Sequence, residues 1–187
     1  ADNAEITAVA SGTLPSGKTV VVNADGTVSV VAVSDQAVGS PAVFEAAVVS
    51  WITATFDTNS NKVVIAYIDG GNSSYGTAVV GTVSGSTISF GSPAVFESAT
   101  VGGTVSATFD SSNNKVVIVY GDVSNSYYGT AVVGTVSGTS ISFGTPVVFE
   151  SATSYLTYVT FDSLNNKVVI SYRDNGNSNY GTAIVGT

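Results

Sequence analysis

A unit of 52 to 53 residues is written three times in this chain, and the chain starts and stops part-way through it. Phe56-Asp57, Phe109-Asp110 and Phe161-Asp162 mark one equivalent point; Phe44-Glu45, Phe96-Glu97 and Phe149-Glu150 mark a second. Residues 56–97 and 109–150 align without a gap and agree at 30 of 42 positions, and residues 161–187 agree with 109–135 at 20 of 27. Self-similarity at a fixed period of this length signals a repeat architecture, in which each unit buries its apolar faces against its neighbours.

Each unit reads as four strands. In the second they are A (Thr104–Phe109), B (Lys115–Tyr120), C (Tyr128–Val136) and D (Ile141–Gly144 with Val147–Glu150). Val, Ile, Thr, Tyr and Phe dominate these runs and suit a pleated, packed surface. Leu occurs only at 14, 156 and 164 and Met is absent, so helix formers are scarce. Strand A alternates apolar and small polar residues. Strand B is apolar on both faces, which predicts that both are covered. Asp110-Ser111-Ser112-Asn113-Asn114 makes an Asx-type turn between them. Gly144-Thr145-Pro146 breaks strand D, since Pro donates nothing to a ladder.

Four antiparallel strands in a tandem unit of this size predict an all-β fold of β-propeller-type blades, three per chain. Val38–Glu45 matches strand D and Gly181–Thr187 matches strand C, so the strand order over residues 34–187 is D-ABCD-ABCD-ABC. The leading D can complete the last blade. Propellers close with about four to eight blades, and three alone expose apolar sheet faces. The expected partner is therefore a second copy, in a dimer forming a six-bladed ring; the alternative is a piece of a longer propeller. Residues 1–33 lie outside the repeat and predict an N-terminal β-hairpin arm. Its strands are Lys18–Val22 and Thr27–Val31 around Asn23-Ala24-Asp25-Gly26, preceded by a short strand at Ile6–Ala10 and a turn at Leu14–Gly17.

Charge narrows the partners. The net charge is −8, and Lys18, Lys62, Lys115, Lys167 and Arg173 are the only basic residues. Nucleic acid requires a cationic footprint, so none is expected as a ligand. No run of about 18 apolar residues exists, so no membrane insertion is expected. Cys and His are absent, which removes thiol and imidazole catalysis and the usual zinc ligands. No cofactor is expected.

Carboxylates are the remaining chemistry. Glycoside hydrolysis needs two unlike carboxylates in one cleft. Asp57, Asp110 and Asp162 recur once per unit, as do Asp69, Asp122 and Asp174, so they spread around a ring instead of converging. The first set reads as turn formers opposite Lys62, Lys115 and Lys167. Asp57-Thr58-Asn59-Ser60-Asn61 has the alternating oxygens of a calcium loop, but its counterparts lose them and no Glu closes it, so no metal is assigned. The B to C loops are the candidate ligand site. They offer Asp69, Asn72 and Tyr75; Asp122, Asn125 and Tyr128; and Asp174, Asn177 and Tyr180. Polar groups beside a ring suit a sugar, and suit equally a turn followed by a strand-opening Tyr. Trp51 has no counterpart in the other units and reads as a packing or subunit contact.

The run Ala10-Ser11-Gly12-Thr13-Leu14-Pro15-Ser16-Gly17-Lys18-Thr19-Val20-Val21-Val22-Asn23-Ala24-Asp25-Gly26-Thr27-Val28 resembles segments near the start of tailed-bacteriophage structural proteins. The repeat at 109–120, with Tyr128–Gly138, resembles propeller-like repeats in virion proteins of marine phages. The resemblance implies a non-enzymatic virion surface component, such as a capsid decoration, tail fibre or host-attachment protein. It would sit with other virion proteins, at the virion surface or otherwise outside the cell. It transfers no catalytic residue. A lectin-like module binding cell-surface glycans is the alternative.

Overall fold

The computed structural model describes residues 8–14, 16–31 and 38–186. Contacts divide the chain into two units, Ala1–Val38 and Gly39–Thr187.

In the first unit, β1 (Val9–Ala10), β2 (Val20–Val22) and β3 (Thr27–Val30) form a three-stranded sheet in the order β1-β3-β2. β2 and β3 pair antiparallel and β1 pairs parallel to β3. Asn23-Ala24-Asp25-Gly26 turns the hairpin with Gly26 at φ 80°, a left-handed conformation that glycine adopts without penalty. Asp25 Oδ1 accepts from both the Thr27 hydroxyl and the Thr27 amide, and these bonds hold its carboxyl below the ordinary range. Ile6, Thr7, Pro15, Ala32 and Val33 lie outside the described residues, so the start of the first expected strand, part of the Leu14–Gly17 turn and the arm's boundary at residue 33 are not described.

The second unit is all-β. Its strands are β4 (Val49–Asp57), β5 (Lys62–Asp69), β6 (Tyr75–Ser84), β7 (Thr87–Phe90), β8 (Ala94–Asp110), β9 (Lys115–Asp122), β10 (Tyr128–Ser137), β11 (Ser140–Phe143), β12 (Val147–Asp162), β13 (Lys167–Asp174) and β14 (Tyr180–Gly186). Every strand pairing in this unit is antiparallel. Strands B and C of the three repeats are β5 and β6, β9 and β10, and β13 and β14.

Strands D and A are not separate. In β8 the first part pairs with β6 (Ala78↔Ala94 to Tyr75↔Thr100) and the second with β9 (Val101↔Asp122 to Asp110↔Lys115). β12 does the same between β10 and β13. No loop was needed because the strand changes partners while staying extended, carrying the chain from one repeat's sheet to the next. The break expected at the Pro does occur: β7 and β11 pair with the far ends of β6 and β10, then Gly91-Ser92-Pro93 and Gly144-Thr145-Pro146 interrupt the line. Residues 38–48, read as a leading D strand, form no strand, and β14 has β13 as its only described partner. The free edge of β14 explains why: the leading D has no C strand beside it in this unit.

Two apolar layers join the repeats. Val64, Ala66, Ile68, Ala78, Val80 and Phe96 of the first pack with Val116, Ile118, Tyr120 and Val132 of the second. Val117 and Val119, on the other face of β9, pack with Val168, Ile170 and Tyr172 of the third. Thr157 Oγ1 donates to the Thr104 carbonyl at 3.2 Å, tying the A segments of neighbouring repeats together.

Candidate functional site

One contact recurs at every repeat. Tyr67, Tyr120 and Tyr172 occupy the same position in strand B, and their hydroxyls donate to Oε2 of Glu45 (3.2 Å), Glu97 (3.0 Å) and Glu150 (3.0 Å). The preceding Phe packs on the same ring: Phe44 on Tyr67, Phe96 on Tyr120 and Phe149 on Tyr172, with centroids 5.1, 5.2 and 5.4 Å apart. Glu97 and Glu150 use their other oxygen to accept from the amides of Ala99 and Ala152. Burial disfavours the tyrosinate, and the neighbouring carboxylates reinforce this. All three phenols are shifted upward, Tyr172 to about 12.

Opposite each Tyr, strand A carries a bulge. The register jumps between Ser50 and Thr53, between Gly102 and Ser106, and between Tyr155 and Tyr158. Trp51, Gly103 and Leu156 sit in these bulges at φ 50°, 73° and 53°. A bulky side chain in this region is an outlier, and such strain persists only where the surroundings impose it. Trp51 is 51% exposed and Leu156 50%.

The Phe rings also explain a glycine. A Cβ on Gly76 would collide with Phe96, and one on Gly129 would come 2.6 Å from Phe149. Gly181, at the same position in β14, has nothing within 4 Å of its Cβ direction. It opens onto a hollow of about 450 Å³ lined by Leu156, Ser171, Tyr172, Arg173, Thr182 and Ala183.

The B to C loops use their Asp residues internally. Asp69 accepts from the amides of Gly71 and Asn72, Asp122 from Ser124 Oγ and the Asn125 amide, and Asp174 from the Asn177 amide. Asp69 and Asp174 are buried. Asn72, Asn125 and Asn177 are exposed, and Tyr75, Tyr128 and Tyr180 open their strands opposite Asp69, Asp122 and Asp174. Each trio therefore gathers at the base of its own loop, and no described hydrogen bond joins one trio to another.

The A to B turns are equally committed. Asp57, Asp110 and Asp162 each accept from two turn amides. Burial opposes the charge of Asp110, but hydrogen bonds from Asn113 and Ser112 outweigh it; Asn165 does the same for the exposed Asp162, so both carboxyls lie below their ordinary value. Lys62 and Lys115, register partners of Asp57 and Asp110, donate instead to the hydroxyls of Thr82 and Thr135. Among the described residues no cluster of three or more acidic side chains could hold a metal.

A cluster outside the repeat pattern was missed. Tyr127 and Tyr155 pack at 5.6 Å between centroids, and Arg173 Cζ lies 4.9 Å from the centre of Tyr155. The available signal was departure from the repeat: Tyr127 stands where the others have Ser74 and Asn179, and Arg173 where they have Ile68 and Gly121.

The described residues contain no helix long and apolar enough to cross a membrane. The chain matches no family model, no curated protein and no solved structure.

Proposed function

We propose that the chain is a non-enzymatic repeat module of propeller-type blades, exposed on a virion and working in assembly or attachment. One observation carries the non-catalytic part: the recurring carboxylates are already committed, Asp57, Asp110 and Asp162 to turn amides and Glu45, Glu97 and Glu150 to the tyrosines that join repeats. A glycosidase would need one carboxyl free to protonate and another free to attack. The four-stranded unit and its stacked apolar faces support the blade reading, and the repeat's resemblance to phage virion proteins supports the location. Antibody raised against the purified chain is expected to label intact phage particles in immuno-electron microscopy. Particles that lack the chain would overturn the placement.

The Tyr127, Tyr155 and Arg173 cluster favours glycan binding as a second reading, since rings present flat apolar faces to sugars and Arg supplies donors. On a glycan array, binding lost with Tyr155→Ala would support it. Binding lost instead with Tyr75→Ala, Tyr128→Ala and Tyr180→Ala would place the sugar at the B to C loops.

A further inference from the structure

We propose that residues 42–48 of a second copy add as the outer strand on β14, seating Phe44 over Gly181; the inference rests on the blade-type reading. The chain contains this interface twice already. β6 is paired by residues 94–100 and β10 by 147–153, each with its Phe ring over the glycine of strand C. The two halves of a third such interface are present but apart. Gly181 is cleared for a ring that is not there, and the edge of β14 beyond it has no described partner. Phe44 and Glu45 already hold Tyr67, as Phe96 and Glu97 hold Tyr120, yet no C strand lies beside them. Val43 is 79% exposed, against 42% for its counterparts Val95 and Val148.

Repeat equivalence sets the register. Tyr75↔Thr100, Gly76↔Glu97, Thr77↔Val95 and Ala78↔Ala94 become Tyr180 opposite Val48, Gly181 opposite Glu45, Thr182 opposite Val43 and Ala183 opposite Ala42. Each copy has one β14 edge and one 42–48 segment, so two copies related by a two-fold axis satisfy both, while head-to-tail addition without closure gives longer chains. A second copy is the occupant because its segment alone carries the Phe-Glu pair in position to bridge Gly181 and Tyr67.

The absence of cysteine makes the test clean. One chain carrying Val43→Cys is mixed with another carrying Thr182→Cys and oxidised, while the native mass of the unmodified chain is measured by light scattering. The expected results are a disulfide-linked pair from the mixture and a native mass of at least twice 18.8 kDa. Gly181→Val is expected to leave the fold intact and weaken association at least tenfold. A monomer with no cross-link between the two chains overturns the proposal. So does a cross-link forming only inside a chain that carries both substitutions, because the segment then closes on its own β14. Gly129→Val separates the two levels: in a monomer, unfolding by Gly129→Val leaves the blade packing standing and removes only the docking, whereas a silent Gly129→Val removes both.

Discussion

Strand B of the middle repeat and strand B of the outer repeats have nearly the same sequence and very different surroundings. In β9, Val116, Val117, Ile118, Val119 and Tyr120 are all buried. In β5, Val64 and Ala66 are fully buried, but Val63 and Ile65 on the opposite face are only half-buried. In β13 the pattern reverses: Val168 and Ile170 are buried, Val169 is half-buried and Ser171 is exposed. A strand apolar on both faces needs a neighbour on each side, and only the middle repeat has two. Tyr67 is the exception at the first end, buried because Phe44 and Glu45 cover it.

The sharpest way to break this comparison is truncation at one equivalent position. Ile118→Ala, at a fully buried site, should destabilise by about 2–5 kcal/mol in chemical denaturation. Ile65→Ala, on the half-covered face of β5, should lose roughly half as much. Equal losses would mean that the first repeat's outer face is covered in solution, as association of copies would do.

Next comes the repeat-joining tyrosine. Tyr120→Phe leaves a carboxylate without its phenol donor and should cost about 1–3 kcal/mol. Tyr172→Phe, nearer solvent, should cost less.

The same group sets a pH dependence. Its folded pKa is raised, so its contribution is complete below the unfolded value of 10 and is lost as pH rises toward about 12 for Tyr172. The melting temperature should fall across that window, and the fall should shrink in Tyr172→Phe. At the acid end the sign is opposite. Asp110 and Asp162 are depressed when folded, so their contribution holds above 3.8 and is lost as pH falls through their lower folded values.

The smallest effect is expected at the bulges. Leu156→Gly copies the residue the middle repeat has at that point, Gly103, and removes a left-handed leucine. Relief of about 1–2 kcal/mol is opposed by the entropy glycine loses on folding, so the net change should stay within about 1 kcal/mol in thermal unfolding.

Much of the fold was legible. The hairpin around Asn23–Gly26, strands B and C, the Asx turns and the break at Gly-Ser/Thr-Pro all follow from local chemistry, and all are present. The fusion of D with A was not legible. Ser98-Ala99-Thr100-Val101-Gly102-Gly103 contains the residues of a turn, and only the two different partners on either side of it keep it extended. The recurrence of Phe-Glu was plain, but its role was not, because Glu97 meets Tyr120 across 23 residues of sequence. The Tyr127, Tyr155 and Arg173 cluster draws on two repeats and escaped a search for what repeats share.

By itself, the sequence determined that the chain is β-rich, that its units are equivalent, and where each turn falls. These follow from side-chain volume, alternation and turn chemistry, all of which act over a few residues. Tertiary structure decided which of the equivalent faces are covered, which glycine carries a ring and which carboxylate is occupied. Those outcomes depend on what lies across the interface, and identical strands acquire different neighbours according to their place in the stack.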